Sequence, residues 1–402
     1  MKYNFDEIVK RKGTWCTKWD MTKERFGADN LLPMWIADMD FRTPQFFLDA
    51  IKKKIDKGVI GYGCCPKIWG ESVSKWFSEE YNWSIRPSQI GYVPGIVVGL
   101  CHALRCFTKK GDRVLIQPPV YFPFKTQILE AGCKVENNNL KIVAKKDRAS
   151  KTVTYNFEVD WEDFEKKIKK CKVFILCNPH NPGGRVWKKG ELKKMAELAL
   201  KYNVFVISDE IHCDLSFSKH IPFATVNKKQ GENTITFHAP SKTFNCAGLT
   251  ASEWIIENPK LYEKFYSYLS AGEFNGGHFL SYIPAIELYS DKGREWLNEA
   301  KSYIQENILF VENYLKENFT KDGKQLVTMI KPMASFLIFL DFRELNLKQG
   351  ELIKLIVEKA HLALNDGESF GAGGEGFMRF NIGCPRKIIE KALANLKKAI
   401  MK

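Results

Sequence analysis

The sequence predicts an α/β fold: a large domain built on a mostly parallel sheet flanked by helices, joined to a smaller α+β domain. Three observations predict it. Between about 90 and 285, short apolar runs rich in Val, Ile and Phe alternate with helical patterns. Gly, Pro, Asn or Asp bounds each run, as expected of strands buried on both faces. After about 286 the texture shifts to one long helical stretch followed by alternating strands and helices.

The elements follow in order. Residues 1–45 are rich in aromatics and Asp, with Pro33 and Pro44 as breakers; they read as an irregular arm that belongs with the small domain. A helix is expected from Pro44 to Lys57. The large domain, 46–285, takes strands at Arg113–Gln117, Val173–Cys177, Val204–Ser208, Thr234–Phe237 and Glu253–Ile256. Helical periodicity fills gaps such as Glu191–Tyr202. The small domain, 286–402, takes a helix from Gly293 to Asn318, a strand Ser335–Phe342, a helix Leu352–Ala360, a strand Phe377–Ile382 and a closing helix from Pro385 to Met401.

Composition excludes several functions. Lys and Arg number 61 against 47 Asp and Glu, a formal net charge of +14. The cations are scattered over helical surfaces such as Lys166–Lys170, with no basic stripe that alternates with stacking aromatics. No nucleic-acid partner is expected, and the positive field favours small anionic molecules. The N-terminal residues carry no apolar signal core, and no apolar run reaches membrane-spanning length, so a cytoplasmic protein without a membrane partner is expected. The 11 cysteines lack both disulfide-framework and metal-ligand spacing, and no metal is expected.

Chemistry gathers at strand ends, where open α/β sheets bind ligands. The run from Val173 ends in Asn178-Pro179-His180-Asn181-Pro182-Gly183-Gly184-Arg185, the run from Val204 in Ser208-Asp209-Glu210-Ile211-His212, and the run from Thr234 leads to Ser241-Lys242. An amide, a carboxylate and a lysine therefore meet at one sheet edge. Singly, Asn181 reads as a turn former and Asp209 as a helix cap; in this order, after successive strands, they read as a site. A lysine nucleophile needs a depressed pKa, which burial supplies.

These segments resemble fold-type I pyridoxal-phosphate enzymes of the aspartate aminotransferase-like fold. Within that class the chain is most similar to C–S β-lyases of the MalY/PatB type, the cystathionine β-lyase-like branch. Lys18-Trp19-Asp20, Pro33 to Phe41, Gly61-Tyr62, Pro118 to Tyr121, Asn178 to Trp187, Ser208 to His212 and Ser241 to Asn245 carry the resemblance. Trp35-Ile36-Ala37-Asp38-Met39-Asp40-Phe41 and Ser241-Lys242-Thr243-Phe244-Asn245 are the most selective for the lyase branch.

The resemblance implies roles. Lys242 would join the aldehyde of pyridoxal 5'-phosphate and serve as the base. Asp209 would pair with the pyridine nitrogen, Asn181 with the ring oxygen, and Tyr121 would stack on the ring, with His212 beside the cofactor. Ser241 and the backbone at Gly95, Ile96 and Val97 would hold the phosphate at a helix start. Tyr62 would reach the phosphate of the neighbouring subunit in a homodimer. Arg379 would clamp the carboxylate of an amino-acid substrate, with Asn181, Trp35, Ala37 and the segment 271–285 nearby. The implied reaction is α,β-elimination from cystathionine or a related cysteine S-conjugate, giving a thiol, pyruvate and ammonia.

Two departures bear on that choice. Many aminotransferases carry an arginine eight residues after the lysine, where this chain has Thr250, and a tyrosine three residues after the aspartate, where it has His212. Both tilt the reading from amino-group transfer to carbon–sulfur cleavage. An aminotransferase on the same scaffold is the first alternative, and a regulatory protein with a partner-binding surface the second. Gly371-Ala372-Gly373-Gly374-Glu375-Gly376 matches a dinucleotide fingerprint, but a strand is expected after it where that fingerprint opens a helix, so it reads as a loop near the substrate.

Overall fold

The computed structural model describes residues 2–146 and 153–401. Its main sheet has seven strands: β1 (Ile90–Val93), β2 (Arg113–Ile116), β3 (Lys134–Asn137), β4 (Val173–Cys177), β5 (Phe205–Asp209), β6 (Thr234–His238) and β7 (Ser252–Ile255), in the order β1-β7-β6-β5-β4-β2-β3. The five strands from β6 to β3 pair in parallel, while β7 runs antiparallel to both of its neighbours. Strands β4, β5 and β6 are buried along their whole length. This is why they read as continuous apolar runs rather than as an alternation.

Alternate residues feed two cores. Ile175 and Ile207 pack with Ile96, Leu100 and Leu104 of the helix Ile96–Phe107. Phe174, Leu176 and Val206 face the other way, onto Phe164 of Trp161–Ile168 and Leu192 and Met195 of Lys189–Lys201. Helices thus cover both faces and leave the C-terminal strand ends open.

Strand β1 has no counterpart among the runs read from the sequence, and its Gly91 shows why it is hard to see. A Cβ there would lie 2.1 Å from the Trp254 ring. The position takes glycine because an indole crosses the backbone, which weakens the strand pattern. Strand β3 is likewise absent from that reading; it is half-exposed and carries Lys and Glu.

A second, six-stranded sheet runs in the order Asn365–Asp366, Phe377–Asn381, Leu337–Asp341, Thr328–Ile330, Val153–Glu158, Lys141–Lys146. Its last two strands come from within residues 46–285 and join through Ile330 opposite Tyr155. The N-terminal arm enters the C-terminal part through Leu32–Pro33, parallel to Leu362–Ala363. The long helix spans Asp291–Asn318, begun by the Ser290 side chain, and the closing helix spans Arg386–Ile400. The stretch expected as one helix from Leu352 is instead Gln349–Lys354 followed by a wider π-type turn, Leu355–Lys359. The glycine-rich loop at 371–376 runs directly into Phe377–Asn381, a strand. Among the described residues no helix is long and apolar enough to cross a membrane.

Candidate active site

A cavity of about 270 Å³ opens at the C-terminal edge of the main sheet. Cys177 and Asp209, the last residues of β4 and β5, are register partners, and Asp209 stands opposite Phe237 of β6. Pairing of neighbouring strand ends is what gathers Asn181, Asp209 and Lys242 around one space. The cavity is lined by Asn181, Asp209, His212, Ser241, Lys242 and Tyr121, by Ala37 from the arm, and by Gly95, Ile96 and Val97.

Gly95 caps the helix Ile96–Phe107 with a φ of 104°, a conformation open to glycine. The N–H groups of the first turn have no acceptor within their helix, so Ile96 and Val97 offer donors and positive partial charge. Thr250 also lines the cavity.

Burial sets the electrostatics. It raises the Asp209 carboxyl to about 7, opposed by the Ile211 N–H that its Oδ1 accepts at 3.2 Å. Burial also lowers the Lys242 amine to about 8; nearby Asp38 opposes that fall and Arg379 adds to it. Burial pushes His212 down to about 3, a neutral imidazole, and its Nδ1 is enclosed without a hydrogen-bond partner among the described residues. Desolvation raises the Tyr121 hydroxyl too.

Lys242 lies on a single helical turn, Pro240–Thr243. Nζ donates to the Ala37 carbonyl at 2.5 Å. Beneath it, Thr243 donates to Asp214 Oδ2 at 2.9 Å, and His238 bridges Asp214 at 3.1 Å and Glu253 at 2.6 Å. Trp76 donates to Asp214 at 3.0 Å, and Tyr81 and Tyr289 donate to Asp214 and Glu253. The His238 imidazole between these acids is held well above its usual pKa, and Asp214 well below its own. Cys213, Asp214 and His238 bring donor atoms within 4.8 Å of one another. Cys213 and Asp214 are neighbours in the sequence; the fold supplies His238, and hydrogen bonds join these side chains into a rigid floor under the lysine.

Arg379, on the strand Phe377–Asn381, is buried and does not line the cavity itself; it reaches the site through Asn181. It donates to Asn181 Oδ1 at 3.2 Å, to the Trp35 carbonyl at 3.1 Å and to Asn365 Oδ1 at 2.6 Å, while its Nε has no partner among the described residues. Burial lowers its guanidinium to about 10.

A family model described as aminotransferase class I and II matches residues 38–396. The chain belongs to that family. Among its curated relatives, the cystathionine beta-lyase PatB of Bacillus subtilis (strain 168) is 40% identical over 401 residues, covering 99% of this chain and 100% of PatB. Protein MalY of Escherichia coli (strain K12) is 32% identical, covering 99% of each chain. Among solved structures, cystalysin from Treponema denticola, which contains a pyridoxal 5'-phosphate cofactor, superposes with a TM-score of 0.91 at 31% identity, covering 100% of this chain and 99% of that one.

In this class I and II aminotransferase family member Trp35 sits otherwise than the sequence implies. The Trp35 ring lines no part of the cavity, its Nε1 donating to the Lys18 carbonyl at 2.9 Å; its backbone carbonyl bonds Arg379. Tyr62 lines no part of this chain's cavity and stands fully exposed beside Val59 and Ile60, which are 78% and 74% exposed.

The residues present fit pyridoxal phosphate on their own terms. Asp209 is a buried carboxylate with no protein cation bonded to it among the described residues, the partner a protonated pyridine nitrogen needs. The helix start and Ser241 suit a phosphate, and Lys242 is an amine that burial makes nucleophilic. Sequence reasoning missed Arg11. Its guanidinium bonds Asp38 Oδ2 and Asp40 Oδ1, each at 2.6 Å, and Lys18 bonds Asp40 Oδ2 at 2.6 Å. The Lys18-Trp19-Asp20 segment stands out in the sequence, but nothing in its spacing reveals that these charges brace the arm.

Proposed function

We propose that this protein is a pyridoxal-phosphate-dependent carbon–sulfur β-lyase that cleaves cystathionine or a related cysteine S-conjugate, consuming water and releasing a thiol, pyruvate and ammonia. The observation that carries the lyase reading is the end-to-end similarity to a cystathionine β-lyase, on a chain whose cavity brings Lys242, Asp209 and Asn181 together.

When bound, pyridoxal phosphate supplies the electron sink that makes the Cα proton of an amino acid removable. The protein does the rest. Lys242 takes that proton, its burial keeping a usable fraction of neutral amine near neutral pH. Asp209 holds positive charge at the far side of the cavity, in a water-poor setting where one charge has a large effect. Asn181 and Tyr121 fix the ring plane, and Ile96, Val97 and Ser241 hold the phosphate. Arg379 orients the substrate carboxylate by a charge-assisted hydrogen bond, leaving the thiolate at Cβ free to depart.

The protein works as a homodimer in this reading. The exposed Val59, Ile60 and Tyr62 form an apolar projection that a second copy would cover, carrying Tyr62 to its phosphate site.

The test is a product assay with the purified protein. Loaded protein is expected to be yellow and to release pyruvate from cystathionine with no keto acid present. Pyruvate-free turnover that requires a keto acid would make it an aminotransferase, and a protein that stays colourless with added cofactor would end the reading.

A further inference from the structure

The two segments most selective for the lyase branch, 35–41 and 241–245, lie far apart in sequence, and Asn245 joins them. It follows the turn that carries Lys242 with a φ of 55°, a left-handed conformation that asparagine tolerates better than most residues. Its Oδ1 accepts from the Met39 N–H at 3.0 Å and its Nδ2 donates to the Phe41 carbonyl at 2.8 Å. Its own carbonyl accepts from the Thr43 hydroxyl at 3.0 Å. The arm is braced elsewhere by Arg11 and Lys18 on Asp38 and Asp40, and by Asn381, which donates to the carbonyls of Ile36 at 2.5 Å and Asp38 at 2.7 Å. Between these braces stands the Ala37 carbonyl, 2.5 Å from Lys242 Nζ.

The geometry points to Asn245 as a positioning residue for Lys242 that acts through Ala37. It ties residues 39–41 to the very turn that carries the lysine, so the Ala37 carbonyl and the amine meet at a fixed place. A lysine amine on a flexible four-carbon stem has many rotamers, and one well-placed acceptor selects among them. Glycine would serve a left-handed turn equally well; only a side chain that both donates and accepts ties the two segments. The inference rests on Lys242 being the reacting amine.

Two substitutions separate the turn from the tie. Asn245→Gly keeps the turn and removes both bonds; Asn245→Asp keeps the acceptor for Met39 and loses the donor to Phe41. Hydrogen–deuterium exchange is followed by mass spectrometry on cofactor-free and cofactor-loaded protein. In Asn245→Gly the peptide covering 35–41 is expected to exchange roughly tenfold faster, with Phe205–Asp209 unchanged and kcat for pyruvate release lower by roughly 10- to 100-fold. Asn245→Asp is expected to fall between. Unchanged exchange at 35–41 would mean that Asn245 serves the turn alone, and faster exchange with unchanged kcat would mean that the arm does not act on Lys242; either overturns the inference. If Asn245→Gly does not fold, the same readouts on Asn245→Asp decide. If the wild type releases no pyruvate, the lyase reading fails by itself. The rate at which cofactor-free protein yellows with added pyridoxal phosphate then replaces kcat: a roughly tenfold slowing in the variant supports the inference, and an equal rate overturns it.

Discussion

Arg379 Nη1 lies 3.2 Å from Asn181 Oδ1, which links the expected substrate clamp directly to the expected ring contact. The same guanidinium also holds the Trp35 carbonyl and Asn365. A substrate carboxylate arriving at Arg379 meets a group already oriented by three oxygens, with the Nε hydrogen still unpartnered among the described residues. Arg379→Lys keeps the charge and loses the planar fork. The expected result is a KM for cystathionine raised roughly 10- to 100-fold, as charge-assisted hydrogen bonds are lost, with the yellow colour retained. Steady-state pyruvate assays and a visible spectrum check both halves.

Lys242→Ala removes the amine proposed to take the Cα proton and to attach the cofactor covalently. Pyruvate release should fall by at least about 10³-fold, at the upper end of what a positioned base contributes. The purified variant should be colourless after desalting, while the wild type stays yellow. A variant that retains full turnover would remove Lys242 from the chemistry.

How far the site is legible in the sequence depends on what carries each residue. Asn181, Asp209 and Lys242 can be placed from sequence because each closes or follows a buried parallel strand, and parallel strands deliver their ends to one edge. The floor of His238, Asp214 and Glu253 cannot. Its members come from β6, a turn after β5, and β7, and only strand pairing sets His238 opposite Glu253. The arm shows the same limit. The Trp-Ile-Ala-Asp-Met-Asp-Phe segment stands out, yet its side chains suggest direct contacts with substrate. In the fold it is largely backbone, the carbonyls of Trp35 and Ala37, that serves the site. Hydrophobic periodicity finds the buried strands and loses the half-exposed Lys134–Asn137; it also loses Lys141–Lys146, where lysines in the sequence break the apolar signal.

Asp209 carries a pH prediction for the cofactor-free protein. Its folded-state carboxyl is raised from 3.8 to about 7. Below about pH 4 it is protonated folded or unfolded and makes no difference. As pH rises from about 4 to about 7 the unfolded chain ionises while the folded one stays neutral, so stability falls, and above that window the full penalty of burying the charge is present. Asp209→Asn lacks the penalty. Its cofactor-free form should match the wild type near pH 4 and exceed it at pH 8 by up to about 4 kcal/mol. Denaturant unfolding at the two pH values measures this. The loaded variant should lose at least about 10²-fold in kcat, since it cannot supply the negative charge proposed to face the ring. Equal stability of the two cofactor-free proteins at pH 8 would mean that Asp209 is ionised and well solvated, contrary to its burial.

Tyr62 offers a test of shared sites. Tyr62→Ala and Lys242→Ala homodimers should each be impaired, the second almost completely. When the two variants are refolded or co-expressed together, a hybrid dimer has two unequal sites. If Tyr62 serves the neighbouring subunit, one site receives both lesions: the Lys242→Ala change of its own chain and the Tyr62→Ala change of the other. The second site then has an intact Lys242 and an intact Tyr62 and is fully competent. Activity should therefore reappear on mixing, and tagged hybrids isolated from the mixture should turn over at about half the wild-type rate per dimer. If Tyr62 instead served its own chain's site, every site in the hybrid would keep one lesion, and mixing would restore nothing. Sedimentation of the wild type should show a dimer, and its cofactor affinity should fall in Tyr62→Ala as one phosphate contact is lost, roughly tenfold for a hydrogen bond to a charged group. A monomeric, fully active wild type would leave the exposed Val59, Ile60 and Tyr62 without the role assigned to them.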